Sequence, residues 1–337
     1  MISRRDSSND AARRLKRCGK FQIKIMKKML SVIIPCYNEQ ENISNTAAVI
    51  SGILDAEEIG FEIIFADDGS KDRSWEEICR LNGENPRVRG LRFSRNFGKE
   101  GAIFAGLKSA EGDCAVLIDC DLQHPPELIP KMYRMWESGA EVVEARKSSR
   151  GRESLFYKLF AKGFYRLMKS SSGINLDGAS DFKLLDRKVV DALNEMPERM
   201  TFFRALSGWV GFRTERIEFD VKPRNAGKTK WNYKKLFVFG VNSVTSFTNF
   251  PMHIITVIGV IFGILAVVLG IQTLVNYFSG NARDGFTTVI LLLLILGACL
   301  MIGVGIIGFY LSKIYEEIKR RPRYIVSEYT KNTQRKE

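Results

Sequence analysis

Two carboxylates separated by one residue, Asp119 and Asp121, close an apolar run that extends from Cys114 to Ile118. Acids at the end of a buried strand do not belong in a core without a partner. The natural partner is a hard divalent cation, Mg2+ or Mn2+, which takes carboxylate oxygens together with substrate phosphates. Residues i and i+2 of a strand share a face. If strand geometry runs on through Asp121, both acids reach one ion. Open α/β sheets bind ligands outside the carboxyl ends of their strands, so the expected chemistry is a metal–diphosphate site. The plain alternative is a D-x-D in a surface turn, and the rest of the chain has to decide between the two.

Other polar groups follow apolar runs in the same way. Tyr37-Asn38-Glu39 follows Leu30–Pro35, and Asp67-Asp68-Gly69-Ser70 follows Phe61–Ala66. Capping of the next helix is the plain reading of Asp67 and Asp68, and Ser70 or Asp72 can cap that helix as well. His124 reads as a hydrogen-bonding loop residue more than as a ligand. His253 is the only other histidine, and the six cysteines contain no C-x-x-C pair, so a zinc site is not expected. A reducing compartment fits free cysteines.

The elements that must position these groups alternate in type. Strands are expected at Leu30–Pro35, Phe61–Ala66, Arg87–Phe93, Cys114–Ile118 and Ala140–Ala145, the last ending in Arg146. Helical spacing falls between them at Asn42–Leu54, Trp75–Leu81 and Asn96–Ala110, and Pro125-Pro126-Glu127 opens another helix at its first turn. Strand–helix alternation predicts a mostly parallel sheet covered by helices. The polar strand ends then share one edge, where Tyr37–Glu39, Asp67–Asp68 and Asp119–Asp121 should converge.

The charge distribution splits the chain. Its 337 residues carry a net charge of +13, which points to an anionic partner. Leu236–Ala282 and Gly285–Ser312 contain no Asp, Glu, Lys or Arg. A bilayer span needs about 20 apolar residues, and Ile254–Phe278 and Thr287–Tyr310 supply two, joined as a hairpin. Basic residues before and after it place both chain ends in the cytoplasm by the positive-inside rule. A nucleic-acid partner is not expected, because the basic residues flank the spans instead of forming a stripe with stacking aromatics. The first 29 residues are basic without an apolar h-region, so they are not a secretory signal. Leu155–Met168 and Trp231–Phe250 have amphipathic spacing suited to a membrane interface.

Taken in order, SVIIPCYNE, ADDGSKD, RNFGKE, DCDLQHPPE and DFKLLDR resemble the inverting family 2 glycosyltransferases of GT-A fold, within them the polyprenyl-phosphate glycosyltransferases. The resemblance covers about residues 30–325. It implies a nucleotide-sugar pocket at Pro35, Tyr37, Asn38, Glu39, Asp67, Asp68 and Lys99, and a metal–diphosphate pair at Asp119 and Asp121 supported by Gln123. It places Arg146 near the acceptor phosphate and Asp181 at the catalytic carboxylate. Arg224, Lys228 and Lys230 fall in a segment that closes over the phosphates. The first 29 residues have no counterpart in the pattern, and two departures fall within it. The middle of the D-x-D is Cys120, which should not matter, and Ala205 stands where a glycine is common.

The organisation expected is a basic tail (1–29), a GT-A domain (30–230), an interfacial segment (231–250), a two-span hairpin (251–312) and a basic cytoplasmic tail (313–337). The location expected is the cell membrane, with the catalytic domain cytoplasmic. The resemblance implies transfer of a hexose, glucose first, from a UDP-linked sugar to a polyprenyl phosphate such as undecaprenyl phosphate, with Mg2+ or Mn2+ as cofactor. It also implies a homo-oligomer, with a tetramer permitted by the glycine-rich spans. A phosphate monoester with a second pKa around 6 is already largely anionic at pH 7. It needs a general base less than a sugar hydroxyl does, and Asp181 then orients a cation or the sugar. The rivals are a transferase acting on a lipid hydroxyl, a processive synthase, for which Q-x-x-R-W and further spans are missing, and a non-catalytic nucleotide-sugar-binding partner of a flippase.

Overall fold

The computed structural model describes residues 28–147, 179–198, 202–219, 250–279 and 285–331. Eight strands make one sheet: β1 (Met29–Cys36), β2 (Gly60–Asp67), β3 (Val88–Phe93), β4 (Cys114–Leu117), β5 (Val142–Lys147), β6 (Lys183–Asp186), β7 (Thr214–Phe219) and β8 (Val326–Tyr329). Their order is β7-β5-β6-β4-β1-β2-β3-β8. The central β4-β1-β2-β3 block is parallel. These are the strands with apolar residues on both faces, as burial between two helical layers requires. The expected mostly parallel α/β sheet is present, with ends shifted by a residue or two from the sequence expectation.

Two layers of helices cover it. On one face α1 (Ile43–Ala56), α2 (Ser74–Glu84) and α4 (Ile129–Glu137) bury Ile50, Leu54, Trp75 and Met132 against Val32, Ile34, Phe65 and Val116. On the other, α3 (Lys99–Ser109), α5 (Arg187–Glu195) and α6 (Phe203–Trp209) pack Ile103, Leu107, Val190 and Leu206 against Ile33, Ile64, Leu117 and Leu185. The α3–β1 approach is close: a Cβ on Gly106 would lie 2.3 Å from Ile33 Cγ2.

Strand β6 runs antiparallel to both neighbours, with Leu117 opposite Lys183 and Glu144 opposite Lys183. Extending these registers by two residues brings Asp181 opposite Asp119 on one side and Arg146 on the other. An antiparallel insertion thus delivers a carboxylate to the carboxyl-end edge from the start of a strand, which a purely parallel sheet cannot do.

Two further helices, α7 (Phe250–Phe278) and α8 (Phe286–Ile318), carry the apolar stretches. Val257–Asn276 and Ile295–Ile318 have mean hydropathies of 2.5 and 2.2, with 0% and 6% of each stretch buried. Apolar side chains left this exposed are not the core of a soluble domain, and both helices are long enough to cross a bilayer. The chain after α8 differs from the expected basic tail. The helix ends at Ile318, Arg320 turns the chain with φ of 47°, and Pro322 prevents its resumption. Residues 326–329 then pair antiparallel with β3. The Gly90 amide donates to Thr330 Oγ1 at 3.0 Å, and Glu328 accepts from Trp75 Nε1 and Arg92. The segment covers what would otherwise be an unpaired sheet edge, and it ties the far end of the hairpin to the same sheet that precedes it.

Candidate active site

The D-x-D segment leaves strand geometry earlier than the sequence predicts. β4 stops at Leu117, and Asp121 lies in a turn that includes Leu122 at a left-handed φ of 53°. A branched-chain residue adopts this conformation only when its surroundings enforce it. Asp121 Oδ1 accepts from the Gln123 amide at 3.1 Å. The middle residue has a role that the sequence did not suggest: Cys120 is buried in the core, and its carbonyl accepts from Thr46 Oγ1 of α1 at 2.8 Å. A small apolar side chain there anchors the turn, and Asp119 and Asp121 stay partly exposed on either side.

The loops expected to take the nucleoside are laced together. Asn38, with φ of 54°, donates its amide to Ser70 Oγ, and its Oδ1 accepts from the Lys71 amide. The Glu39 amide donates to Ser74 Oγ, and Glu39 Oε2 accepts from Asn42 Nδ2. Pro35 lies in β1 beside Ala66, and Tyr37 follows it, half-buried. Asp67 accepts from the Ser70 amide and hydroxyl, which occupies Ser70, so the amide at the start of α2 is left to Asp72, bonded to Ser74 at 3.0 Å. Asp68 accepts from the amides of Phe97 and Gly98, holding the loop that opens α3. Gly98 takes φ of 99° there, where a side chain would be strained. Burial pushes the Asp68 carboxyl up to about 6 against these amide bonds, and burial likewise raises Asp67.

Lys99, at the first turn of α3, joins the two acids of the opposite side. Its ammonium lies 2.6 Å from Asp119 Oδ1 and 2.9 Å from Asp181 Oδ2. Arg204 of α6 closes the cluster with two bonds to Asp181, Nε to Oδ1 at 2.7 Å and Nη2 to Oδ2 at 2.9 Å. A fork of this kind is among the strong charge-assisted pairs. Burial works to raise the Asp181 carboxyl, but Lys99 and Arg204 outweigh it and hold the group far below the usual carboxylate range. Burial works to lower the Lys99 ammonium, and Asp119 and Asp181 outweigh that in turn. Asp119 is lowered against burial by Lys99 and by His124, whose Nδ1 lies 3.8 Å from Asp119 Oδ2. The His124 ring stacks on Phe182, consistent with a buried loop residue. Asp181 is therefore a fixed anion gripped by two cations, and its partners are not the nearby Lys183 or Arg187. Lys183 pairs with Glu144 at 3.0 Å, and Arg187 bonds Gly112.

Arg204 is the site residue that the sequence reading missed. The available signal was one charge inside the apolar stretch Phe202-Phe203-Arg204-Ala205-Leu206, since a charge so placed needs a buried partner. Its helix is seated by Glu100, whose Oε2 accepts from the Phe203 amide at 2.8 Å, and by Ser207, which accepts from Lys183 at 2.9 Å. Ala205 is fully buried in that helix. Arg146 reaches the same edge with Nε 2.7 Å from Glu144 Oε2, so part of its charge is already matched. Arg224, Lys228 and Lys230 lie outside the described residues, as do the expected interfacial stretch 155–168 and nearly all of 231–250.

Among the described residues no group of three or more His, Cys, Asp or Glu side chains forms a closed metal cage. The partly exposed pair Asp119 and Asp121 fits a hard cation in the other common way, in which one or two carboxylates leave the remaining positions to phosphate oxygens and water. Lys99 already neutralises Asp119, so a cation here would share that carboxylate and rely on Asp121.

The family described as Glycosyl transferase family 2 matches residues 31–193. An uncharacterized glycosyltransferase of Synechocystis sp. is 37% identical over 301 residues, covering 89% of this chain and 95% of its own. A prophage bactoprenol glucosyl transferase homolog of Escherichia coli is 37% identical over 299 residues, covering 88% and 98%. Among solved structures, glucosyl-3-phosphoglycerate synthase of Mycobacterium tuberculosis aligns with a TM-score of 0.44 at 18% identity, over 65% of this chain and 81% of that one.

Proposed function

The chain belongs to glycosyl transferase family 2, and we propose that it transfers a hexose, glucose in the first instance, from a UDP-linked sugar to the phosphate of a polyprenyl phosphate with inversion. The observation that carries this reading is the state of Asp181. A carboxylate held by Lys99 and Arg204 is a poor proton acceptor. An acceptor hydroxyl would have to lose a proton, whereas a phosphate monoester near pH 7 is already mostly ionised. The reading is supported by the name of the E. coli relative, whose similarity spans most of both chains.

In this mechanism a phosphate oxygen of the acceptor attacks the anomeric carbon from the face opposite the nucleotide. The new C–O bond forms as the bond to the β-phosphate oxygen breaks, and that oxygen leaves with the electron pair on a nucleoside diphosphate. No proton has to move. The loops at Tyr37–Glu39 and Asp67–Asp68 bind the nucleoside. Lys99 and Arg204, fixed by Asp181, present preorganised positive charge where two anionic groups must meet, the type of term that dominates many enzymes. Arg146, with Arg224, Lys228 and Lys230, adds charge toward the phosphates. Asp119 and Asp121 would hold Mg2+ or Mn2+, which would supply Lewis-acid neutralisation of the leaving diphosphate.

The two apolar helices cross the cell membrane as a hairpin. The pairing of β8 with β3 supports a return of the chain after α8 to the side of the catalytic sheet, and the flanking basic residues support a cytoplasmic assignment for that side. Assembly as a homo-oligomer belongs to the same proposal. The test is a donor panel with the purified full-length protein, polyprenyl phosphate and a divalent metal, scoring lipid-linked sugar. Product from UDP-glucose that is lost on chelation is the expected result. Transfer to diacylglycerol with none to polyprenyl phosphate would overturn the reading.

A further inference from the structure

We propose that Arg323 is a positioning residue for the transfer reaction, tying the end of the second apolar helix to α3, which carries Lys99, and to Met196, ahead of the helix that carries Arg204. It lies between α8 and β8, outside the apolar stretch. Its guanidinium stands over the ring of Phe104 in α3, 4.6 Å from the centroid, and donates through Nη2 to the carbonyl of Met196, just past α5. One side chain therefore bridges α3 and the segment that leads to α6. Phe104 in turn meets Phe203 edge-on at 6.5 Å, and Phe203 is the residue whose amide is held by Glu100 and which precedes Arg204.

The neighbours of Arg323 fix it in place. Tyr324 stacks on Phe93 at 5.0 Å with an interplanar angle of 11°, and the Ser94 amide donates to the Ile325 carbonyl. A Cβ on Gly101 would lie 3.8 Å from the Arg323 carbonyl oxygen, so the strap runs directly over the first turn of α3. Lys99 and Glu100 are in that turn. The Lys99 side chain is 42% exposed and that of Arg204 is 39% exposed, so neither cation is held in place by burial alone. Their position depends on α3 and α6 staying together, and Arg323 holds Phe104, the α3 residue that meets Phe203 of α6. A displacement on the order of 1 Å in such a constellation is costly to rate.

The inference about rate rests on the transfer reading, whereas the tether itself is read without turnover. The test compares full-length wild type, Arg323→Ala and Arg323→Lys in lipid nanodiscs. In Arg323→Ala, amide exchange should quicken in 99–109 and 202–209 and stay unchanged in β1 and β2. With UDP-glucose and polyprenyl phosphate, kcat should fall by about ten- to a hundredfold while KM for the nucleotide sugar holds within about twofold, because the laced nucleoside loops do not touch Arg323. Arg323→Lys, which keeps the charge and a donor, should recover most of the rate. Unchanged exchange and kcat in Arg323→Ala would overturn the proposal, as would loosening spread evenly through the sheet. An inactive wild type whose exchange still responds to Arg323→Ala would count against the transfer reading and support the tether.

Discussion

Two buried charge clusters sit at opposite ends of the same sheet, and they are built for different purposes. At the amino-end edge, Glu62 Oε1 accepts from Ser31 Oγ and the Glu111 amide, and Oε2 accepts from Arg89. The Arg89 and Glu62 side chains are only 7% and 6% exposed. At the carboxyl-end edge, Asp119 and Asp181 face Lys99 and Arg204, and both cations stand more than a third exposed. The Glu62–Arg89 pair is closed, with backbone and side chains meeting the acid, and only Glu111, 2.9 Å from Arg89, reaches solvent. The second is fixed on its protein side and open to solvent on the other. A closed ion pair contributes to integrity. An open one keeps charge available to something that arrives from outside, as the proposed transfer requires for a substrate diphosphate and an acceptor phosphate.

This contrast predicts that damage to the two ends separates stability from rate. The largest effect is expected at the closed end. Glu62→Ala leaves the buried Arg89 with only the partly exposed Glu111, 2.9 Å away, as its carboxylate, so unfolding free energy should fall by about 2–4 kcal/mol, seen in a denaturant titration. The kcat of the remaining folded fraction should be unchanged; a kcat that falls with stability intact would break the comparison.

At the open end, Arg204→Ala should lower kcat by about 10²–10³-fold, with a thermal midpoint within a few degrees of wild type. A smaller effect sharpens the same contrast. Burial, and then the charge of Asp181, push the Glu100 carboxyl up to about 7. A raised carboxyl pKa means the folded state prefers the protonated acid. Its contribution is whole below the ordinary value near 4.5 and is lost as pH rises through about 7. Glu100→Gln removes that dependence and still accepts from the Phe203 amide. Relative to wild type it should gain about 1–3 kcal/mol between pH 5 and pH 8, read as a difference in thermal midpoints; equal midpoints at both pH values would mean that this carboxyl does not titrate in the folded state.

Much of this was legible in the sequence, for identifiable reasons. The central parallel strands are continuous apolar runs, so β1, β2 and β4 and the acids that end them stand out. Asp67, Asp68, Asp119 and Asp121 needed no long-range information to be singled out. Asp181 was visible as a residue but not as a geometry, because its place opposite Asp119 comes from the antiparallel register of β6. Arg204 follows Asp181 by 23 residues and reaches it only because Glu100 and Ser207 seat α6. The strand Val326–Tyr329 is short, polar and preceded by basic residues, so its composition resembles a tail; only pairing with β3 gives it a strand's conformation. Cys120 shows the same limit at smaller scale, since the burial that anchors the D-x-D turn comes from α1.

The measurement that bears most directly on the account is the pH dependence of transfer to polyprenyl phosphate by wild type and Asp181→Asn, followed as kcat/KM from pH 6 to pH 9. If Asp181 is a fixed anion that holds Lys99 and Arg204, the wild-type profile is flat once the acceptor phosphate is fully ionised, above about pH 7. The variant then runs parallel to it at a much lower level. If alkaline pH restores the variant toward wild type, Asp181 takes a proton in the reaction, and the assignment of a phosphate acceptor on the ground that no base is needed is wrong.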